Sequence, residues 1–577
     1  MHLSYLYIKD FAVLKNVGFT FDNHFVFTMT EGVLQIKRNI ALPERFWGNG
    51  IYSMSAIVGN NGSGKTTAFR LIKRLVIDGA PREAGVKVLM VYEQNGALYV
   101  FNPTNIKVDA ERNIRFLNIQ NIQKINTLYY SGHFRAYEGS EDMELAGSYE
   151  ASDGWLLVKD LQDYSNVDTL HLSEPLYNHL QAYNAQNNYR ICDVLMLEGL
   201  DRLLTSINLP EYVIFSPNRG GWNAIKLDRT GDYELPGEKL TSRYIKEQAL
   251  ERIIYYDIIN LIAERKGEVG ELKDFLQAWM LSSKDDGVIN TLGQLLDKIK
   301  LTDASQASLN SLLYVMDKLS TLSEFDENSG YFYIHVKKGA DKLKALMEEI
   351  MKSHFFLTAK FFDIYFAHQL GKGTFLSSGE QELLNLLSRL YYGITVMPQK
   401  FGNKESCRLL LLDEAEIGFH PDWQRRYVKI LTEFMQYMKV KAGVDFQIVI
   451  TSHSPIILSD IPVSCVNFLR KRGNTTTLVS DEKQTFGENI FNLYRRAFFM
   501  EDGLIGEFAQ QKIRQWAKDV EENLFSEELE KSISLIGDER IKDYLMREIA
   551  GRNIDAEIAY HEEKIKELRE AKENRHE

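Results

Sequence analysis

One stretch of this sequence has the residue types and spacing to hold phosphate. Gly59-Asn60-Asn61-Gly62-Ser63-Gly64-Lys65-Thr66, followed by Thr67, fits G-x-x-x-x-G-K-[ST] at every fixed position. Glycines let a backbone curl until its N–H groups face an anion. The lysine reaches the β- and γ-phosphates, and the hydroxyl after it ligates Mg²⁺. Those roles fall to Lys65 and Thr66, with Asn60, Asn61, Gly62, Ser63, Gly64 and Thr67 completing the cradle. The bland alternative is a chance glycine-rich turn. Against it, the apolar run IYSMSAIV (51–58) reads as a strand entering the loop, and TAFRLIKRLV reads as a helix leaving it.

Three further stretches carry chemistry that such a loop needs. Arg408-Leu409-Leu410-Leu411-Leu412-Asp413-Glu414 reads as a buried strand ending in two acids. Asp413 is placed to hold Mg²⁺ and Glu414 to act as general base on water. Ile448-Val449-Ile450-Thr451-Ser452-His453 is a second apolar strand, which delivers His453 to its C-terminal end, where ligands of parallel α/β sheets bind. Phe375-Leu376-Ser377-Ser378-Gly379-Glu380-Gln381 opens a helix. Read alone, it is a well-capped N-terminus with a capping box. Its place shortly before the acidic strand gives Ser377, Ser378, Gly379 and Glu380 a second reading, as a γ-phosphate receptor at a helix N-terminus.

The elements that position these residues fall into four stretches. Residues 1–150 read as strands around the phosphate loop, including a hairpin in KVLMVYEQNGALYVF about Asn95-Gly96. Residues 151–370 read as a mainly helical insertion, without the sustained heptads of a coiled-coil arm. Residues 371–480 return to alternating helix and apolar strand. Residues 481–577 are helical and end in the charged run IAYHEEKIKELREAKENRHE.

Composition bounds the class. The chain has 577 residues, 44% hydrophobic and 26% charged, which is enough for several globular units. Cys192, Cys407 and Cys465 are scattered, which argues against a disulfide framework or a zinc site. Neither a signal peptide nor a membrane span is expected, so the cytoplasm is the expected compartment. A net charge of −12 leaves nucleic acid to a local basic groove or to a partner. Arg470-Lys471-Arg472 in a hairpin turn and Arg495-Arg496 are the candidates, though each reads more readily as a solvated face. There is no GxSxG, no second His four residues after His561-Glu562, and no convincing DxD cluster near Gly537-Asp538-Glu539-Arg540. No nuclease, protease or esterase site is expected.

The four motifs in this order resemble the ABC-type ATPases of the RecF/SMC/OLD kind: Walker A (59–66), signature (377–380), Walker B (409–414) and His switch (453). The resemblance implies an α/β fold, an ABC-type head whose mixed sheet carries the P-loop, with a large helical insertion between Walker A and signature. It implies ATP and Mg²⁺ as ligands, with Thr66 and Asp413 on the metal and Glu414 and His453 catalytic. It also implies a head-to-tail homodimer, in which Ser377, Ser378, Gly379 and Glu380 of one copy meet the γ-phosphate held by Lys65 of the other. The signature reads SSGE rather than SGGQ, and Glu416-Ile417-Gly418-Phe419-His420-Pro421 occupies the place of the D-loop. No Q-loop glutamine is assignable; the loop YYSGHFRAYE (129–138) is where the missing ligand is expected. Thr485-Phe486-Gly487-Glu488-Asn489-Ile490 and AFFMEDGLIGEFAQQKI resemble the C-terminal part of PtuA, the ATPase of Septu-type and retron-associated anti-phage defence. That resemblance implies a partner HNH-type nuclease, with a retron reverse transcriptase and its RNA–DNA as further partners, and nucleic acid reached through the complex. A RecF/Rad50-like DNA-repair ATPase that clamps DNA directly is the alternative.

Overall fold

The structure is a computed structural model. It describes residues 1–39, 42–43, 45–78, 87–111, 116–118, 125–133, 148–152, 156, 160, 176–217, 246–264, 269–352, 362–371, 375–400, 408–479, 483–497, 505–524, 526–552, 558, 561–562, 564–566 and 569. Contacts divide the chain into two compact units, Met1–Leu493 and Tyr494–Glu577.

The first unit is mixed α/β. Its strands, in chain order, are β1 (His2–Phe11), β2 (Leu14–Thr20), β3 (Phe25–Thr30), β4 (Val33–Arg38), β5 (Ile51–Gly59), β6 (Lys87–Gln94), β7 (Ala97–Phe101), β8 (Lys107–Ala110), β9 (Phe116–Asn118) and β10 (Thr127–Ser131). They continue with β11 (Ser148–Glu150), β12 (Tyr212–Pro217), β13 (Glu324–Asp326), β14 (Tyr331–His335), β15 (Phe362–Ala367), β16 (Leu409–Asp413), β17 (Phe446–Thr451), β18 (Val466–Arg472) and β19 (Thr475–Val479). Twelve of them form one sheet in the order β11-β10-β16-β17-β5-β18-β19-β2-β1-β6-β7-β9.

That sheet has two characters. From β11 to β18 neighbouring strands run parallel. Here β16 (LLLLD) and β17 (FQIVIT) are buried at every position, as strands covered on both faces must be. On one face Leu409, Leu411 and Val449 pack with Phe69, Ile72 and Leu75 of the helix Lys65–Asp78. Leu410, Leu412, Ile448 and Ile450 alternate onto the other face and are equally buried. From β2 to β7 the sheet turns antiparallel. The small sheet β3-β4-β8 covers that half, closing Tyr5, Phe25, Leu34, Leu89 and Val100 into one core. The expected hairpin is β6–β7, with Asn95 and Gly96 both at positive φ, as a tight two-residue turn requires.

The stretch 151–370 holds helices, as its periodicity predicts, and also a four-stranded antiparallel sheet, β13-β14-β12-β15, which that periodicity does not predict. A core of Val213, Phe215, Ile254, Phe275, Trp279, Leu312, Phe332 and Leu346 joins that sheet to the helices around it. The second unit is helical. Glu507–Glu521, Glu527–Ser534 and Glu539–Arg552 close on Val520, Leu529, Ile533, Leu545 and Ile549. The charged tail beyond Arg552 lies largely outside the described residues, as do Cys407, residues 134–138 of the loop YYSGHFRAYE and residues 498–504 of the stretch AFFMEDGLIGEFAQQKI. No helix among the described residues is long and apolar enough to cross a membrane.

Candidate nucleotide site

Four parallel strands, β10, β16, β17 and β5, lie side by side, so their C-terminal ends share one edge. Their register puts Ser131, Asp413, Thr451 and Ile57 on neighbouring positions of that edge. Whatever follows each strand is therefore presented together. After β5 comes the phosphate loop, after β16 Glu414, after β17 Ser452 and His453, and after β10 Gly132 and His133. The parallel edge is the physical reason why motifs hundreds of residues apart become one site.

The phosphate loop leaves β5 at Gly59 and enters its helix at Lys65. Gly62 (φ 70°) and Gly64 (φ 90°) take the left-handed conformation that lets the chain curl back on itself. Lys65 is buried, and its Nζ donates to Gly59 O at 3.3 Å. Burial lowers the Lys65 pKa, and Glu414, Asp413 and Glu416 oppose that shift. The Ser63 hydroxyl is fully buried without a hydrogen-bond partner among the described residues. A cradle with a buried cation and an orphaned hydroxyl fits an anionic ligand. Asn60 Oδ1 accepts from the backbone N of Lys471 at 3.1 Å, and a Cβ added at Gly62 would meet Lys471 Nζ at 3.3 Å. Lys471, read from sequence as a nucleic-acid candidate, thus stands over the phosphate loop.

The acids are held firmly. Asp413 is fully buried and accepts from Thr451 Oγ1 at 2.5 Å and from Tyr129 Oη at 2.9 Å. Both donors are hydroxyls, which fix the carboxylate without neutralising it. Thr66, half-buried at the start of its helix, and Asp413 both carry oxygens of the hard kind that Mg²⁺ favours. Glu414 has φ 50°, a conformation that costs a residue with a Cβ about 1–2 kcal/mol. Its backbone N–H donates to Thr451 O at 3.1 Å and Thr451 Oγ1 at 3.0 Å, which holds the turn in place. The Glu414 carboxylate lies between two imidazoles, with His133 Nε2 2.8 Å from Oε2 and His453 Nε2 3.3 Å from Oε1. Burial pushes its pKa up, but hydrogen bonds from His453 and His133 outweigh that and hold it at about 2.

The segment after the acids ties the edge together. Glu416 is buried and accepts from Ser452 Oγ at 2.5 Å and from the His453 backbone N at 3.3 Å. Burial raises its pKa, against those two donors. His420 then caps the helix Pro421–Ala442, its Nδ1 accepting from Asp422 N at 3.3 Å, with Pro421 in the first turn.

The signature residues open the helix Ser378–Tyr391. Ser377 is its N-cap, with the expected capping box: Glu380 N donates to Ser377 Oγ at 3.4 Å, and Ser377 N to Glu380 Oε2 at 2.9 Å. His368 Nε2 holds Glu380 Oε1 at 3.1 Å, and the Trp423 ring packs over Gly379. Ser377 and Ser378 are exposed. Lys65, Asp413, Glu414 and His453 therefore converge on one edge, while the signature presents a capped, open helix end held by His368 and Trp423.

Sequence reasoning did not assign Tyr129, His133, Thr451, Glu416 or Lys471 to this edge. Tyr129 and His133 fall in the loop expected to hold the missing ligand, and Thr451 in the strand that delivers His453. The contact each makes depends on strand register rather than on local pattern.

Residues 270–459 match the family described as AAA domain, putative AbiEii toxin, Type IV TA system. Protein ea59 of Escherichia phage lambda is 28% identical over 126 residues, 22% of this chain and 21% of that protein. The retron Vc95 probable ATPase of Vibrio cholerae serotype O1 biovar El Tor is 24% identical over 115 residues, 20% of this chain and 21% of that protein. The chain thus spans about a fifth of the length of these curated relatives. Among solved structures, the match to an Smc head bound to the C-winged helix domain of ScpA covers 83% of this chain and 98% of that chain at 12% identity and TM-score 0.23. RecF of the RecFOR pathway with ATPrS covers 83% and 98% at 11% identity and TM-score 0.22. At such scores the likeness carries no inference. The match to this AAA domain thus takes in residues 377–380, the acidic strand and the histidine strand, while residues 59–66 lie outside it.

Proposed function

We propose that this chain binds and hydrolyses ATP and works as a head-to-tail pair. The observation that carries this reading is the shared edge, where a buried lysine, two acids and a histidine from separate strands surround a phosphate-type loop. Lys65 and the loop amides neutralise the β- and γ-phosphates, and Lys471 adds a second cation beside Gly62. Thr66 and Asp413 would hold Mg²⁺, which supplies charge stabilisation at the transferring phosphoryl group. Glu414 orients the attacking water and takes its proton. His453 lies beside Glu414, placed to sense the γ-phosphate. The exposed Ser377 and Ser378, with Gly379 and Glu380 behind them, suit contact with the nucleotide of a second copy.

The finer reading is that this ATPase is a subunit of an anti-phage defence complex and controls an HNH-type nuclease partner through head dimerisation. The TFGENI and GLIGEFA stretches and the partial likeness to a retron ATPase support it. ATP closes the pair, hydrolysis opens it, and a partner that binds one state better is thereby switched.

The test is Glu414→Gln with ATP and Mg²⁺. The expected outcome is phosphate release lowered by about 10²–10⁴-fold and a nucleotide-dependent dimer by light scattering. Lys65→Ala is expected to abolish ATP binding. A Glu414→Gln protein that stays monomeric with ATP sinks the head-to-tail reading. Purified from its native operon, the trapped protein should bring an HNH-type nuclease with it. Co-purification of DNA alone would favour the RecF-like repair clamp.

A further inference from the structure

Among the described residues, His133 is the histidine nearest the Glu414 carboxylate, at 2.8 Å against 3.3 Å for His453. Three separate features aim it there. Strand β10 runs parallel to β16 with Ser131 opposite Asp413, so the residues just beyond the two strands are neighbours. Gly132 N donates to Asp413 O at 3.1 Å, and a Cβ at Gly132 would lie 2.4 Å from Glu414 O. Only glycine lets the two strand ends approach this closely. The His133 N–H then donates to Ser131 Oγ at 3.2 Å, and Ser131 N donates to Ser152 Oγ at 2.9 Å. The turn that carries the imidazole is thus anchored through its own backbone. The same strand sends Tyr129 to Asp413, so β10 supports both acids.

We propose that His133 is a positioning residue for Glu414, holding the carboxylate oriented toward the attacking water when His453 engages the nucleotide. This rests on the reading of Glu414 as the general base. The physical need is plain. A glutamate side chain has three rotatable bonds, and a base displaced by about 1 Å from the water it must deprotonate loses on the order of 10²-fold in rate. His453 cannot both orient Glu414 and follow the γ-phosphate. His133 is tied to β10 rather than to the phosphate loop, so it remains with Glu414 through the cycle. A donor N–H at that reach is what the role demands, and an amide can supply it as well as an imidazole.

The test compares wild type, His133→Ala, His133→Gln, Glu414→Gln and the His133→Ala/Glu414→Gln double variant of the full chain. Phosphate release and ATP binding are both measured. His133→Ala should lower kcat about 10- to 100-fold with ATP affinity within about twofold of wild type. His133→Gln should recover most of the loss. The double variant should be no slower than Glu414→Gln alone, because the imidazole acts only through that carboxylate. If kcat of His133→Ala stays within about twofold of wild type while Glu414→Gln is dead, the positioning role is overturned and the base survives. A His133→Ala protein that loses ATP binding and is not recovered by glutamine also overturns it, since the residue would then be structural. If Glu414→Gln turns over like wild type, it is the base reading that fails.

Discussion

The sheet edge and the insertion stretch are built by opposite rules. The edge buries polarity. Asp413, Glu416, Lys65, Thr451 and Ser63 are all nearly or wholly out of solvent, and most of them are held by directed hydrogen bonds at 2.5–3.3 Å. The stretch 151–370 buries mainly hydrocarbon, with Trp279, Phe275, Phe215, Phe332 and a shell of Leu and Ile. Its buried polar groups are fewer than its apolar ones, and among them Arg190 pairs with Asp160 and lies over the Tyr392 ring. Buried hydrocarbon gains stability in proportion to area and specifies little. Buried polarity gains little net stability but fixes geometry to a few tenths of an ångström. The same chain thus holds a stabilising region and a specifying region, and mutations in the two should fail in different ways.

The largest effect should come from the insertion. Trp279 is 1% exposed in the helix Val269–Leu281, with Lys284 Nζ 4.9 Å from its ring centre. Trp279→Ala should cost about 3–5 kcal/mol of stability through lost burial and the cavity left behind. Below its lowered melting temperature, kcat and KM for ATP should match wild type. A Trp279→Ala protein of normal stability but altered KM would break the contrast, because packing in the insertion would then be setting nucleotide geometry.

The two regions also differ in what a single sequence discloses. The phosphate loop, the acidic strand and the histidine strand are continuous segments, so the position of Lys65, Asp413, Glu414 and His453 just at or beyond a strand end is legible one by one. The capping box at Ser377 and Glu380 is legible for the same reason. The four-stranded sheet of the insertion is not. Its central strand YVIFSP pairs with YFYIH and FDIYFA, each more than a hundred residues away, and only β13–β14 forms a local hairpin. These short aromatic and β-branched runs carry a strand signal, but the long helical periodicities between them dominate the stretch. His133 fails to be legible for a related reason. Its chemistry comes from the β10–β16 register, which joins segments some 280 residues apart.

A middle-sized effect should come from a hydroxyl at the edge. Thr451 Oγ1 both donates to Asp413 and accepts from the Glu414 backbone N–H. Thr451→Val keeps the shape and removes both bonds. Support of this kind behind a metal ligand is worth about 10- to 100-fold in affinity or activity. Half-saturating Mg²⁺ should rise, or kcat fall, within that range, while the melting temperature moves by only a few degrees. An unchanged Mg²⁺ titration would mean that Tyr129 alone suffices to hold Asp413. A loss of stability as large as that of Trp279→Ala would erase the distinction between the regions.

The smallest effect isolates what buried charge costs at the edge. Burial raises the Glu416 pKa above its ordinary value, against the donors Ser452 and His453 N. A raised folded pKa means that the folded chain binds the proton more readily than the unfolded one. The Glu416 contribution to stability is then fullest below the unfolded value of 4.5 and declines as pH rises through the raised folded value. Glutamine at 416 has no such linkage, yet its amide oxygen still accepts from Ser452 and His453. The melting temperature of Glu416→Gln minus that of wild type should therefore become more positive from pH 5 to pH 8, by on the order of a degree or two. A difference that is flat with pH, or that runs the other way, would mean that the Ser452 and His453 donors and the nearby Lys65 compensate the charge in full. The edge would then gain stability from its polarity as well as geometry, and the opposition between the two regions would narrow to one of chemistry alone.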